Sequence, residues 1–303
     1  MDVTDKVALV TSGGSGINLS FVKLLVARHC RVVIADLSLH KTAEAWLASL
    51  SLTDRSLVHF HRTDVTSWPD LKSALNACRE HFSRSVDLVV LGAGVYEPSS
   101  NSFWADLDDE SSSRYKVLDI NLVHPIKLSR LAIASFIADR KPGTIIHLSS
   151  IAGQRSTIVT PLYTASKHGI NAFVRGMAPL GQLFGIRVLA VAPRTVATPL
   201  FHDHPEANRY LDTKKDFLLP PEEVANDMLA LFEDATTYKS GTILEVCDVE
   251  RRWRVVDLLN DPGPSGPASF TSRKADAVDD LVRMLDPEGL DRNGNRASSV
   301  VTD

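Results

Sequence analysis

Residues 6–18, KVALVTSGGSGIN, decide the fold of this chain. A short apolar run of β-type residues leads into a glycine-rich turn, and an apolar pattern at helical spacing follows, so the stretch predicts strand, turn and helix. Glycines let the backbone turn tightly and approach a pyrophosphate, whose negative charge is favoured by the free amides at a helix N-terminus. The stretch therefore predicts a dinucleotide-binding unit. An ordinary turn with spare glycines is the alternative.

A second strand, predicted at residues 31–36, ends in Asp36. An acid at the tip of that strand accepts hydrogen bonds from the adenosine ribose hydroxyls and repels a 2′-phosphate. No Arg or Lys lies within the glycine loop to neutralise such a phosphate. The prediction is NAD in preference to NADP, with NADP possible. The alternative is that Asp36 only caps the next helix.

Three polar residues in the second half of the chain predict an acid/base centre. Tyr163 and Lys167 are four residues apart, and Ser150 lies upstream at the end of an apolar run. On a helix the pair shares one face, so the ammonium would favour the ionised phenol and bring its pKa toward the working range of general acid/base catalysis. Such a pair also arises by chance on many helices, so the interpretation depends on the other motifs.

Strand patterns alternate with helix patterns along the chain, which predicts an α/β fold with a doubly wound parallel sheet, Rossmann-like, as a single domain. The predicted strands lie near residues 7–11, 31–36, 57–61, 87–92, 143–149, 186–192 and 242–247. The domain is predicted to span 1–258. Residues 259–303 are predicted to form a C-terminal extension with a loop, a short helix at about 273–286 and a disordered tail.

With its motifs in this order, the chain resembles the short-chain dehydrogenase/reductase family over about residues 3–250. The family's glycine loop reads Thr-Gly-x-x-x-Gly-x-Gly. Thr11 and Gly16 match it, whereas Ser12 and Asn18 replace its first and last glycines. Two further departures occur downstream. Gly92 stands where the family's Asn-Ala-Gly turn has asparagine, and Arg194 replaces the glycine of a Pro-Gly turn.

The resemblance implies a division of labour among four catalytic residues. Tyr163 exchanges a proton with the substrate oxygen, and Ser150 holds that oxygen. Lys167 binds the nicotinamide ribose and lowers the tyrosine pKa, while Asn121 orients a water that links Lys167 to solvent. The cofactor-binding residues implied are Thr11, Ser12, Gly13, Ser15, Gly16, Ile17, Asp36, Asp64, Val65, Gly92, Ala93, Gly94, Asn121, Tyr163, Lys167, Pro193, Val196 and Thr198.

Composition narrows the function classes. A net charge of −4 with interspersed signs argues against a nucleic-acid partner. We find no run of about 18 apolar residues to span a membrane, and no signal peptide is expected, because Met1 leads almost directly into the first predicted strand. Cys30, Cys78 and Cys247 read as reduced core residues, so a cytoplasmic protein is expected. His202 and His204 lack a third ligand, so no metal is expected.

With the residues above, the resemblance implies an NAD(P)-dependent oxidoreductase of secondary metabolism that interconverts a secondary alcohol and a ketone on a small lipophilic metabolite. Residues 198–222 correspond to the family's substrate-covering loop, and residues 13–19 resemble fungal members labelled hydroxyprostaglandin-dehydrogenase-like. Amphipathic segments at about 113–138 and 163–184 match the helices through which family members form homodimers and homotetramers. Two alternatives remain: a non-redox isomerisation or cyclisation on the same fold, and a cofactor-sensing binding protein.

Overall fold

The computed structural model describes residues 2–97, 103–105, 114–203, 215–247, 253–256 and 274–286. A single eight-stranded sheet runs through it in the order β3-β2-β1-β4-β5-β6-β7-β8. The strands are β1 Val7–Thr11, β2 Arg31–Asp36, β3 Val58–Arg62, β4 Leu88–Leu91, β5 Gly143–Leu148, β6 Ile186–Pro193, β7 Ile243–Val246 and β8 Trp253–Val255.

The first seven strands are parallel, and β8 pairs antiparallel with β7. The chain builds outward from β1 through β2 and β3, then returns to β4 on the other side of β1. This reversal leaves a crevice beyond the carboxyl ends of β1 and β4, where ligands bind in open α/β sheets. The predicted doubly wound parallel sheet is therefore confirmed.

Helices cover both faces of the sheet. The α-helices of the described residues are α1 Gly16–Ala27, α2 Lys41–Ser49, α3 Leu52–Arg55, α4 Trp68–Phe82, α5 Lys116–Leu118, α6 His124–Ala138, α7 Pro161–Gly176, α8 Leu180–Leu183, α9 Pro199–His202, α10 Pro221–Glu233 and α11 Lys274–Leu285. Successive strand residues face opposite sides, so Ala8 and Val10 join the core beneath α1 and α10, whereas Val7 and Leu9 join the core beneath α4, α6 and α7. Two apolar layers thus hold the sheet rigid from both sides.

One helical run, Lys116–Ala138, combines α5, a π-helical turn at Asp119–Val123, and α6. Its 23 residues are long and apolar enough to cross a membrane by length and composition alone, so the sequence-based count missed it. Half of its apolar window is buried inside the fold, where Leu128 and Phe136 pack against the sheet. Packing in the core therefore accounts for the buried half of this run.

Some predicted boundaries changed. The amphipathic segment predicted at 163–184 is broken into α7 and α8, and Pro179 lies immediately before α8, as its ring predicts. Strand β8 was not predicted. Cys247 is only half-buried, with its Sγ 3.0 Å from Glu245 Oε1, so the reading of it as a core residue was wrong. The predicted C-terminal helix is present as α11, and the boundary at residue 258 and the tail lie outside the described residues.

Candidate active site

A cleft of about 320 Å³ opens beyond the carboxyl ends of β1, β4, β5 and β6. The glycine loop forms one wall and the start of α7 forms another, so most of the predicted site residues face one space. The predicted residues that line the cleft are Ser12, Ser15, Gly16, Ile17, Gly92, Gly94, Ser150, Tyr163, Lys167, Pro193, Val196 and Thr198. Its volume lies in the range of small-molecule and cofactor sites.

The glycine loop keeps the family's backbone shape despite its substitutions. Ser12 adopts φ 55°, and Gly16 adopts φ 54°. Both lie in the left-handed region that favours glycine, so Ser12 holds the expected glycine conformation at a cost of about 1–2 kcal/mol. A Cβ at Gly16 would lie 3.4 Å from the Thr198 side chain, which shows how closely the loop after β6 approaches. The cradle therefore fits a dinucleotide pyrophosphate at the start of α1.

Asp36 lies directly against this loop. Its Oδ2 accepts the Gly14 N–H at 3.0 Å, and its Oδ1 accepts the Leu37 N–H at 2.8 Å. A Cβ at Gly14 would lie 2.9 Å from Asp36 Oδ2, so only glycine allows this approach. Burial raises the pKa of the Asp36 carboxyl, and these backbone hydrogen bonds counteract it. The carboxylate is thus fixed at the end of β2, directly against the glycine loop.

Thr11 and Asn18 together hold the turn after β4. Thr11 Oγ1 accepts the N–H groups of Gly92 at 3.0 Å and Ala93 at 3.2 Å. Asn18 is buried, and its Nδ2 donates to Gly92 O at 3.0 Å. Both backbone polar groups of Gly92 are therefore satisfied by side chains from the first strand-turn-helix unit, which joins two walls of the cleft.

Ser150 follows β5 and serves two structural contacts. Its Oγ accepts the Ala152 N–H at 3.1 Å, which caps the 3₁₀ turn Ile151–Gly153, and lies 3.5 Å from Pro193 O. Ser150 therefore caps the turn that follows β5. A hydrogen bond with Ser150 also lowers the pKa of Tyr163, so both roles belong to the same hydroxyl.

Tyr163 and Lys167 lie on the first turns of α7, on the face that lines the cleft. The pKa of Tyr163 is raised to about 12, chiefly by burial, which outweighs the lowering by the hydrogen bond with Ser150; the neighbouring Tyr96 contributes a smaller rise. Burial lowers the pKa of Lys167 to about 8, and its Nζ donates to Leu148 O at 2.8 Å. Lys167 Nζ is 5.5 Å from the Tyr163 ring centroid. Among the protein's own groups, burial therefore outweighs the expected lowering of the tyrosine pKa by Lys167.

Asn121 is displayed by the π-helical turn at Asp119–Val123, a feature that is frequent at functional sites. Its Oδ1 accepts the Val95 N–H at 2.9 Å, and its Nδ2 donates to Val95 O at 2.9 Å. The side chain therefore clamps the segment after β4 instead of reaching Lys167. A Cβ at Gly94 would lie 3.5 Å from Asn121 Oδ1 and 3.9 Å from Lys167 Nζ, so the three residues are neighbours.

Several predicted residues lie beside the cleft instead of lining it. Gly13 is buried beneath the loop against Ile34 and Val22. Asp64 Oδ1 accepts from Thr66 N at 2.9 Å and from Thr66 Oγ1 at 2.7 Å, so its carboxylate caps its own turn. The residues not brought into the lining are Thr11, Gly13, Asp36, Asp64, Val65, Ala93 and Asn121.

Sequence reasoning missed an aromatic wall. The Tyr96 ring centroid lies 5.0 Å from that of Tyr163 and 5.7 Å from that of Phe201, and all three residues line the cleft. Phe201 lies within the predicted substrate-covering loop, but Tyr96 belongs to no motif and is marked only by its position two residues after Gly94. Among the described residues no group of three His, Cys, Asp or Glu side chains could hold a metal. His204 lies outside them.

Arg194 is held at the rim of the cleft. Its backbone N–H donates to Val246 O at 3.0 Å, and its Nη1 donates to Cys247 O at 3.3 Å. The guanidinium carbon lies 5.3 Å from the Phe217 ring centroid, in cation–π geometry. The side chain therefore ties the end of β7 to the segment before α10. Arg194 also contributes to the lining of the cleft.

Comparisons with known proteins agree with this geometry. The short chain dehydrogenase family model matches residues 6–209. (+)-Borneol dehydrogenase 2 of Salvia officinalis is 33% identical over 80% of this chain and 87% of its own length. Human 15-hydroxyprostaglandin dehydrogenase [NAD(+)] is 30% identical, with 81% and 92% covered.

Solved structures show the same architecture. The 3-ketoacyl-(acyl-carrier-protein) reductase of Brucella melitensis, crystallised with NADH, superposes with a TM-score of 0.65 at 21% identity, over 81% of this chain and 98% of that one. At that identity the likeness concerns the fold alone, whereas the family match covers most of the sheet and the whole cleft. The chain belongs to the short-chain dehydrogenase/reductase family and is an enzyme of that family, which uses NAD or NADP.

Proposed function

We propose that this enzyme is an NAD-dependent oxidoreductase that interconverts a secondary alcohol and a ketone on a small lipophilic molecule. The observation that carries the proposal is the convergence of Ser150, Tyr163 and Lys167 on the cleft that the glycine loop also lines. A proton donor and a dinucleotide cradle thus share one space of about 320 Å³. The nicotinamide, when bound, supplies or accepts the hydride.

Tyr163 transfers the proton at the substrate oxygen. Because burial holds its pKa near 12, the phenol carries its proton at neutral pH, which suits donation to a developing alkoxide. Ser150 lies beside it and donates a second hydrogen bond to the same oxygen. Lys167, whose pKa burial lowers to about 8, binds the nicotinamide ribose and sits close to Gly94 and Asn121. Asn121 keeps that wall in place through Val95.

The walls of the cleft support a lipophilic substrate. Apolar and aromatic side chains face the space next to Tyr163, and the ring of Tyr96 packs edge-on against Tyr163 and at a tilt against Phe201. Burying apolar surface against such walls supplies most of the binding free energy of a small ligand. The relatives' names, borneol dehydrogenase and 15-hydroxyprostaglandin dehydrogenase, refer to lipophilic alcohols. The substrate of this chain is expected to belong to that class.

The preference for NAD follows from Asp36, whose carboxylate is bonded to Gly14 at the glycine loop. A carboxylate at the ribose site disfavours a 2′-phosphate. One relative carries NAD(+) in its name.

The proposed setting is the cytoplasm, and the proposed assembly is a homodimer or homotetramer. In support of the assembly, the helical run Lys116–Ala138 exposes 40% of Val123 and 36% of Ile126. Burying those side chains against a second copy would be favourable. Light scattering of the purified enzyme tests the assembly, and monomers at micromolar concentration would contradict it.

The departures from the family's motifs do not by themselves favour the non-redox alternative. Three of the four departures from the family pattern preserve the shape of the glycine loop and the turn after β4. Ser12 adopts the conformation of a glycine, and the Asn18 amide occupies the space that a side chain at Gly92 would fill. The proposed redox reaction is tested by following the near-ultraviolet absorbance of NADH with a panel of cyclic and acyclic lipophilic ketones and alcohols. At least one substrate should change it. Cofactor binding with isomerised product and no absorbance change would contradict the proposal.

A further inference from the structure

A buried acid lies outside the cleft and outside every motif of the sequence. Glu97 has 0% of its surface exposed. Its Oε2 accepts the Tyr163 N–H at 3.0 Å, and its Oε1 accepts the Phe103 N–H at 3.1 Å. Each carboxylate oxygen is therefore committed to a backbone amide, one in α7 and one in the 3₁₀ turn Phe103–Ala105.

The start of α7 needs this acceptor. Its N-cap residue, Thr160, makes no side-chain capping bond, and Pro161 at the first helical position has no N–H. The N–H of Tyr163 is one of the amides that an α-helix leaves without an intrahelical partner. A carboxylate at a helix N-terminus is also favoured by the helix dipole. Glu97, 66 residues earlier in the chain, thus caps α7 by accepting the backbone N–H of Tyr163, whose phenol faces the cleft.

The second oxygen of Glu97 braces the segment that leads into α7. Phe103, which it binds, is followed by Trp104, and the Trp104 Nε1 donates to Ile158 O at 2.6 Å. Ile158 lies three residues before Pro161. Through Oε1 and the Phe103–Ala105 turn, Glu97 is linked to Ile158 in the segment that precedes α7. Through Oε2 it binds the first turn of α7 directly.

We propose that Glu97 is a positioning residue for the reaction: it fixes the first turn of α7 and thereby the phenol of Tyr163. The inference rests on the proposed role of Tyr163 as the proton donor. Glu97 does not line the cleft, so it acts through the backbone of Tyr163 and not on the substrate. A displacement of about 1 Å at a reacting group can cost up to about 100-fold in rate.

Two variants separate the contributions of the carboxylate. Glu97→Gln keeps one acceptor oxygen, and Glu97→Ala keeps none. We expect kcat, measured on the best substrate of the panel, to fall about threefold or more in the first and about tenfold or more in the second. NADH affinity should stay within about twofold, because Asp36 and the glycine loop are untouched. Hydrogen exchange at residues 161–166 should accelerate in the same order, which measures the cap without any substrate.

Asp234→Asn is the matched control, because the Asp234 carboxylate also accepts two backbone amides, from Thr236 at 3.1 Å and Thr237 at 2.9 Å, outside the cleft. It should leave kcat unchanged. Faster exchange at α7 with unchanged kcat would overturn the positioning role, and unchanged exchange would overturn the cap. If Glu97→Ala does not fold, Glu97→Gln decides alone. The proposed function fails by a different result, the survival of turnover in Tyr163→Phe.

Discussion

The side-chain amide of Asn18 occupies the space that a side chain at Gly92 would fill. A Cβ added at Gly92 would overlap the Asn18 amide, which instead donates to Gly92 O at 3.0 Å. The family has glycine at the first position and asparagine at the second. The two departures are therefore one exchange, in which an asparagine moves from the turn after β4 to α1 and still fills the same contact.

This exchange predicts a double-mutant cycle with a large coupling. Asn18→Gly removes a buried hydrogen bond, and Gly92→Asn forces two amides into one space, so each should lower the free energy of unfolding by about 1–3 kcal/mol. The double variant should recover at least about 1 kcal/mol relative to the sum. Chemical denaturation with and without NADH measures the cycle. Strict additivity would show that the two positions are independent.

Asp36→Ala should relax the cofactor preference. Losing the carboxylate removes the repulsion of a 2′-phosphate and the acceptor for Gly14, so the ratio of NADPH to NADH dissociation constants should fall about tenfold or more. Fluorescence titration of both cofactors measures it, with Glu80→Ala, an exposed acid on α4, as the control. Equal or tighter NADPH binding by the unmodified enzyme would refute the assignment.

Arg194→Gly should weaken substrate binding more than cofactor binding. The variant loses the bond to Cys247 O and the contact with Phe217, which join two segments at the rim of the cleft. A cation–π contact of this kind is worth about 0.5–2 kcal/mol, so the substrate KM should rise about two- to thirtyfold. Arg194→Lys retains a cation, so its substrate KM should lie between those of Arg194→Gly and the unmodified enzyme. A KM that does not change for several substrates would show that the rim contact has no effect on binding.

Acid should destabilise the protein through two buried histidines. Burial lowers the pKa of His124 to about 4 and of His147 to about 3. The unfolded chain binds a proton at each near pH 6.5, whereas the folded protein does not, so stability present above pH 6.5 is lost as the pH falls toward 4.

Each of these histidines contributes up to about 1.4 kcal/mol per pH unit. His147→Asn should flatten the fall in the free energy of unfolding between about pH 6 and 4.5 by that amount. His29→Asn, at an exposed position, should leave the slope unchanged. Equal slopes in His147→Asn and the unmodified protein would contradict the assignment of a neutral buried imidazole.

The sheet and the cradle could be predicted because their signals are local. Alternating strand and helix patterns locate each parallel strand to within a residue or two, and the glycines after β1 directly indicate a tight turn between that strand and α1. Strand β8 was missed because its three residues, Trp253–Val255, lie in a charged stretch with no periodicity. The exposure of Cys247 depends on which strands pair with β7, and the sequence of β7 alone does not reveal its neighbours.

The contacts that organise the site join positions far apart in the chain. Asn18 meets Gly92 across 74 residues, and Glu97 meets Tyr163 across 66. No pattern in one sequence marks such a pair, so the departures from the family appeared independent and Glu97 appeared ordinary. The prediction of a lowered Tyr163 pKa was wrong for a similar reason. Helical spacing places Lys167 near the phenol, but the burial of both groups is a property of the assembled fold.

The most direct test of the central claim is turnover by Tyr163→Phe, with Tyr238→Phe, a buried tyrosine outside the cleft, as the control. Removing the proton donor should lower kcat by about 100-fold or more while NADH affinity stays within about twofold. The control should keep the rate of the unmodified enzyme. A Tyr163→Phe variant that turns over at that rate would contradict proton transfer by this tyrosine.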